Sequence, residues 1–386
     1  MTEHRSQLAL NGGQPVRSRP WPNYMQGTGG FGEATKKEIM RVLDSGRLFR
    51  YDSRSLSDTA AGRLESALAE YFGSKHVLLV SSGTAALTLA LLALDLPQGF
   101  EAVCPAFGFP ATASAILMAR GIPRLIAVDR DLHFSLPDLE RRWNERIKAI
   151  IVVHMRGFAS QVDAIVEFAT SRGVHVIEDV VPAFGARLEG KLLGTFGRVG
   201  CFSTQSDKMI NTGEGGFLIT DDLRLCERAV LLSGAFEGNC FKHFADLTSV
   251  ESEFNLPLFN FRIDELRAAL ALCQLQDLDM RISTLRRNYE YVAGRVSELP
   301  GIRLREPVES GSFLGDSLVF FVDPVVQSGS RMRYPPRESR PGLSDQSEER
   351  TSDPSGIGVL LRHGTINSKR GEAITFRRQF THCVPP

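Results

Sequence analysis

The stretch H-V-L-L-V-S-S-G-T-A-A-L-T-L-A-L-L-A-L, His76 to Leu94, decides the fold. Its opening residues, His76–Val80, form a short run apolar on both faces, as a strand buried inside a sheet would be. Ala85–Leu94 carries helical periodicity instead. Between them lies S-S-G-T, a tight passage from strand to helix. There the N–H groups of Gly83, Thr84 and Ala85 stand at a positive helix end without partners of their own. Gly83 allows close approach of the backbone, and Ser82 or Thr84 adds a hydroxyl, so the turn suits a phosphate. Serine or threonine there also makes an ordinary helix N-cap, and the motif alone does not choose.

The same strand-then-helix rhythm runs outward in both directions. Apolar runs recur at Ala102–Cys104, Arg124–Val128, Ala149–Val153, His175–Ile177 and Gly200–Phe202. Ala111–Arg120 and Val162–Arg172 between them have helical spacing. Alternation of this kind predicts an α/β fold: a mainly parallel sheet with helices on both faces, ligands binding beyond the carboxyl ends of the strands. Four regions are expected. They are an N-terminal arm (1–30), a large domain (31–261), a smaller C-terminal α/β domain (262–325), and a polar tail (326–386). The tail is rich in Arg, Ser and Pro and aperiodic, the composition that a disordered segment or a frameshifted reading would give.

Composition narrows the function. Of 386 residues, 42% are apolar and 23% charged, with 45 basic and 45 acidic side chains. That balance gives no global case for a nucleic-acid partner or an anionic membrane surface. The N-terminus lacks a signal-peptide core and no run is long enough to span a bilayer, which leads to a cytoplasmic expectation. The six cysteines are scattered, and no His/Cys/Asp cluster has metal-ligand spacing, so no metal is expected.

Two further features sit at predicted strand ends. V-I-E-D-V, Val176 to Val180, ends an apolar strand in two acids, where a carboxylate faces the ligand crevice or caps the next segment. S-T-Q-S-D-K-M-I-N-T-G-E-G-G, Ser203 to Gly216, sets Lys208 between a hydroxyl-rich turn and a glycine cluster. A single lysine is most often a solvated charge, but one sheltered in this way can lose its proton and bond to a carbonyl. A phosphate cradle, a strand-end carboxylate and a sheltered lysine together meet the needs of pyridoxal phosphate. They anchor its phosphate, keep its pyridine nitrogen protonated and hold its aldehyde.

With these motifs in place the chain resembles the DegT/StrS-type sugar aminotransferases, fold-type-I pyridoxal-phosphate enzymes. The resemblance runs from about Leu8 to Pro324. It rests on S-S-G-T-A-A-L, C-P-A-F-G-F-P-A-T-A, V-V-H-M-R-G, I-E-D-V-V-P-A-F-G-A, the Lys208 stretch and F-N-F-R-I-D-E-L, in the family's order. The opening L-A-L-N-G-G-Q-P-V-R is similar to members that aminate cyclitols or ketoses in secondary metabolism. The resemblance implies that Lys208 is the lysine bonded to the cofactor and Asp179 the partner of the pyridine nitrogen. It assigns Gly83, Thr84, Ala85 and Ser203 to the phosphate and Phe109 to stacking on the ring. Asn260 matches a residue that reaches the phosphate from the neighbouring subunit, which implies a homodimer. The implied reaction passes an amine from glutamate or glutamine to a keto-sugar, nucleotide-linked keto-sugar or cyclitol ketone. Related sugar dehydratases carry histidine at the lysine position, so Lys208 favours transamination. Two departures stand out: Pro182 replaces the usual Gln or His near the ring hydroxyl, and the tail replaces the end of the small domain. They motivate an alternative, a non-catalytic homologue with a binding or regulatory role.

Overall fold

Strands apolar on both faces need cover on both sides, and the chain supplies it. The computed structural model describes residues 31–53, 55–244 and 256–322, and the backbone of 373–376. The expected N-terminal arm and nearly all of the polar tail lie outside the described residues. The chain opens with α1 (Glu33–Ser45) and α2 (Ala60–Phe72), then runs β1 (His76–Val80), α3 (Gly83–Ala93), β2 (Glu101–Pro105), α4 (Ala111–Met118) and β3 (Ile122–Ile126). Next come α5 (Leu136–Arg142), β4 (Ile147–Val153), α6 (Val162–Thr170) and β5 (His175–Asp179). A small hairpin, β6 (Arg187–Leu188) and β7 (Lys191–Leu192), precedes β8 (Val199–Ser203), β9 (Gly216–Thr220) and α7 (Leu223–Ser233).

Seven strands form one sheet in the order β1-β9-β8-β5-β4-β2-β3, and only β9 runs against the rest. Alternate residues of each strand feed two separate cores. Leu78, Val80, Cys104 and Ile151 pack with α3, α4 and α7, while Val77, Leu79, Val103 and Ile150 pack with α2 and α6. Helix α3 is buried all round from Ala85 to Leu91, which explains why its sequence is apolar without a polar face. Strand β3 lies two residues earlier than the apolar pattern suggests. The N–H of Ala127 is taken by Asp138 Oδ2 at 2.9 Å, and Val128 pairs with Phe134 instead of the sheet.

Helix α8 (Glu265–Leu275) lies against α1 and α2, and its Glu265 carboxylate accepts the Ala60 and Ala61 N–H groups at 2.5 and 3.1 Å. Those amides open α2, where a negative charge is favoured. Helix α9 (Leu278–Val296) then leads to an antiparallel sheet of β10 (Ile302–Leu304), β11 (Leu318–Val322) and β12 (Ala373–Phe376). Arg305, buried just beyond β10, donates to the carbonyls of Met155 (2.6 Å) and Leu132 (3.4 Å), joining this sheet to turns beside the large one. Burial pushes its pKa down to about 10.

A buried ion pair fixes β1 to α2. Arg50 places Nη2 2.9 Å from both oxygens of Glu65, and Glu65 Oε1 accepts the N–H of Leu79 at 2.9 Å. Removing one partner strands the other charge out of water. Glu65→Ala is expected to lower the unfolding free energy by about 3–5 kcal/mol, read from the urea midpoint.

Candidate active site

β1, β5 and β8 all end at one edge of the sheet, and β9 begins there because it runs the other way. The first turn of α3 opens at this edge. Ser82 is an N-cap: its Oγ accepts the Ala85 N–H at 3.0 Å. Ala85's amide is therefore committed within the turn, while Gly83 and Thr84 precede the first intrahelical bond, from Ala86 N to Ser82 O. Those two amides stand at the positive end of the helix, ahead of its first intrahelical bond.

Gly83 is glycine because nothing larger fits. A Cβ there would sit 2.9 Å from Ser203 Cβ and 3.0 Å from Val181 Cγ2. Gly216 faces it with the same constraint: its Cβ would lie 2.5 Å from the Phe202 carbonyl oxygen and 2.8 Å from Gly83 N. The close contact brings Ser203, at the end of β8, against the start of α3. Ser203 is buried, and its Oγ accepts the Gln205 N–H at 3.2 Å.

Lys208 sits in the loop between β8 and β9. The neck of that loop is closed by Thr204 N to Gly215 O (2.9 Å) and Thr212 N to Thr204 O (2.8 Å). The Thr204 and Thr212 hydroxyls meet at 2.6 Å. Gly215 adopts φ +151°, and a Cβ there would collide with Thr204 Oγ1 at 2.4 Å, so the glycine cluster serves the neck. From outside, Gln274 of α8 exchanges hydrogen bonds with the Asn211 backbone, and Arg281 of α9 donates to the Met209 carbonyl. The lysine side chain is only 18% exposed, with Nζ 3.0 Å from Asp207 Oδ1.

The two acids ending β5 have separate jobs, which the sequence did not distinguish on its own. Glu178 is fully buried and accepts the N–H groups of Gly194, Phe196 and Gly197, each at 2.7 Å. It also meets His154 Nε2 at 3.1 Å, and His154 Nδ1 accepts the Ser160 N–H, so the hydrogen lies on Nε2. Glu178 thus ties the strand to the segment entering β8. Asp179 is buried at the sheet edge, with Oδ2 accepting from Thr112 Oγ1 at 2.8 Å and Oδ1 from Val181 N at 3.2 Å. Burial raises its pKa, and Thr112, the Val181 amide and Lys208 pull against that rise. Lys208 and Asp179 lie at the ends of the paired strands β8 and β5.

Phe109 follows β2 on the same side and is 72% exposed. Asn260 is also exposed. It lies on the segment whose Phe261 carbonyl accepts the Ser81 N–H at 2.8 Å, next to the start of α3. Sequence patterns missed Thr112, whose partner is 67 residues away, and Asp207, the immediate neighbour of Lys208.

Capped helix start, sheltered lysine and buried acid occupy one edge of the sheet, in the order β1, β9/β8 and β5. Residues 32–322 match the DegT/DnrJ/EryC1/StrS aminotransferase family. The chain belongs to that family. Among its curated relatives, L-glutamine:2-deoxy-scyllo-inosose aminotransferase of Streptomyces kanamyceticus is 36% identical over 288 residues, which cover 73% of this chain and 66% of that protein. L-glutamine:scyllo-inosose aminotransferase of Streptomyces griseus is 33% identical over 298 residues, 76% of this chain and 69% of the relative. The chain thus spans about two thirds of the length of the curated relatives it matches. A solved GDP-4-keto-6-deoxymannose-3-dehydratase with a trapped PLP-glutamate geminal diamine superposes with TM-score 0.69 at 25% identity, covering 79% of this chain and 80% of that one. DegT/DnrJ/EryC1/StrS members share the fold-type-I architecture described above. Among the described residues no helix is long and apolar enough to cross a membrane, and no group of His, Cys, Asp and Glu could hold a metal ion.

Gly216→Ala tests the contact that assembles this edge. The added methyl has no space beside Phe202 and Gly83. Overpacking of this kind costs about 1–3 kcal/mol, so a lower denaturation midpoint is expected together with weaker binding of pyridoxal phosphate in an equilibrium titration.

Proposed function

We propose that this chain is a pyridoxal-phosphate-dependent aminotransferase that passes an amino group from glutamine or glutamate to the ketone of a cyclitol. One observation carries the proposal: the sheltered Lys208, in the loop that follows β8, stands at the same sheet edge as the buried Asp179, which ends the neighbouring strand β5 of a family-matched sheet. The residues fit the cofactor. Gly83 and Thr84 offer backbone donors for a phosphate, the Ser203 hydroxyl would turn to it from the Gly215 carbonyl it meets at 3.4 Å, Ala85 closes the turn, and Phe109 offers an exposed ring. When bound, pyridoxal phosphate supplies an aldehyde and an electron-accepting ring. Asp179 would hold the ring nitrogen of the cofactor. Lys208 Nζ would hold the aldehyde between turnovers, with loss of water, and once released would move a proton at Cα of the amino donor. Pro182 contributes no side-chain hydrogen bond to this arrangement.

A cyclitol acceptor is favoured by the two inosose aminotransferases among the relatives. Keto-sugars, free or nucleotide-linked, form the competing class, as the solved dehydratase acts on a GDP-linked keto-sugar by its name. Lys208 itself speaks for amine transfer over dehydration. Purified protein with pyridoxal phosphate should show the visible band of the lysine-linked cofactor, and L-glutamine or L-glutamate should bleach it. Added scyllo-inosose should restore it with formation of an amine. Lys208→Ala is expected to lose the band and at least 10³-fold of the activity while still folding. A wild type that never acquires the band would sink the proposal.

The working form is taken to be a homodimer, with Asn260 of a second copy reaching the phosphate. Exposed apolar side chains support it: Met40, Leu43, Leu48 and Phe49 near α1, and Leu258 and Phe259 beside Asn260. Such a concentration on one protein favours association. Sedimentation should give twice the chain mass, and a monomer with full activity would contradict it.

A further inference from the structure

We propose that Thr112 is a positioning residue whose hydroxyl fixes the orientation of the Asp179 carboxylate. This rests on the proposed function only for what Asp179 faces; the contact itself belongs to the protein without cofactor. Thr112 is buried in the first turn of α4, and its Oγ1 donates to Asp179 Oδ2 at 2.8 Å. Hydroxyls on helices usually turn back to their own backbone. In this chain those of Thr88, Ser114, Thr170 and Thr284 do so, each bonding a carbonyl four residues earlier. Thr112 instead crosses from α4 to the end of β5, although α4 has no side-chain cap of its own.

The groups around Asp179 explain what the bond does. Val181 N holds the other oxygen, Oδ1, from the strand's own continuation. Lys208 beyond β8 contributes positive charge, and Cys201 on β8 is an apolar neighbour whose thiol is pushed up by burial and by Asp179 and Glu178. Glu178 points its oxygens at the loop from Gly194 to Gly197. Thr112 therefore supplies the side-chain hydrogen bond to this carboxyl from the α4 side. The turn it belongs to starts at Phe109, whose carbonyl accepts the Thr112 N–H at 3.4 Å. One turn thus holds the acid with a buried hydroxyl and presents the exposed aromatic ring at its other end.

A hydrogen bond to an ionised acceptor is worth about tenfold or more in an equilibrium constant, which corresponds to about one pH unit in the acid's titration. Burial already holds the proton on Asp179 to a higher pH than in the unfolded chain. Its ionisation consequently costs stability. That cost is absent below the ordinary Asp range and develops as pH rises through the folded-state value. Thr112→Val, which keeps the shape and removes the donor, should enlarge the cost and extend it to higher pH.

The experiment measures urea stability against pH on cofactor-free wild type, Thr112→Val, Thr112→Ser, Asp179→Asn and the Thr112→Val/Asp179→Asn double variant. The expected result is a gap between wild type and Thr112→Val that widens towards neutral pH, vanishes in the Asp179→Asn background and is closed by Thr112→Ser. Pyridoxal phosphate should bind Thr112→Val about tenfold more weakly and Thr112→Ser as wild type does. A gap that is independent of pH, or one that persists with Asp179→Asn, would reduce Thr112 to packing and overturn the proposal. Unchanged cofactor affinity in Thr112→Val would overturn it as well. A wild type that binds no cofactor defeats the proposed function instead, and the cofactor-free cycle still reports whether Thr112 and Asp179 are coupled.

Discussion

Everything at the functional edge depends on a contact between two residues that have no side chains. Gly83 opens α3 and Gly216 opens β9, and a Cβ on either would occupy space already held by Ser203, Val181 or the Phe202 carbonyl. Because neither has one, the positive end of a buried helix can be pressed against the ends of β8 and β9. That places the Gly83 and Thr84 amides, the Ser203 hydroxyl and the neck of the Lys208 loop within one small volume. The helix is held there by the apolar surface of α3, buried all round between the sheet, α4 and α7. Hydrophobic burial thus supplies the force, and the glycines decide how close the approach becomes.

A second constraint is electrostatic. Two neighbouring carboxylates at the end of β5 are both buried, an arrangement that is costly unless each is matched. Glu178 meets this with three backbone amides and His154, which makes it a structural anchor. Among the described residues Asp179 accepts from Thr112 and the Val181 amide, with the charge of Lys208 nearby, and its pKa remains raised. Asp179 is thus matched by one donor on each oxygen, where Glu178 is matched by four.

Much of this was legible from residue order. The apolar runs and the helical stretches between them gave β1, β2, β3, β4, β5 and β8 to within two residues, with β3 displaced where Asp138 and Phe134 drew the chain out of the sheet. The lysine, the acid pair and the S-S-G-T turn announced themselves because each is an unusual residue type at a strand end. Thr112 did not, because a threonine early in a helix is ordinary until its partner on another element is known. The commitment of the Ala85 amide to Ser82 was likewise hidden, since an N-cap and an anion site use the same residues.

The sequence by itself determined the alternation of strands and helices, the strand-end location of the chemistry and the residue types available to it, because periodicity and backbone preference are local. It also fixed that Glu178 and Asp179 point to opposite sides of β5, since successive residues of a strand do so. Only the tertiary structure decided which of them turns to Thr112 of α4 and which is consumed by the loop from Gly194 to Gly197. The same holds for Lys208, whose shelter comes from a loop neck and from α8 and α9, elements contributed by distant parts of the chain. Burial and pairing depend on what packs against a residue, and that is settled only when the elements come together.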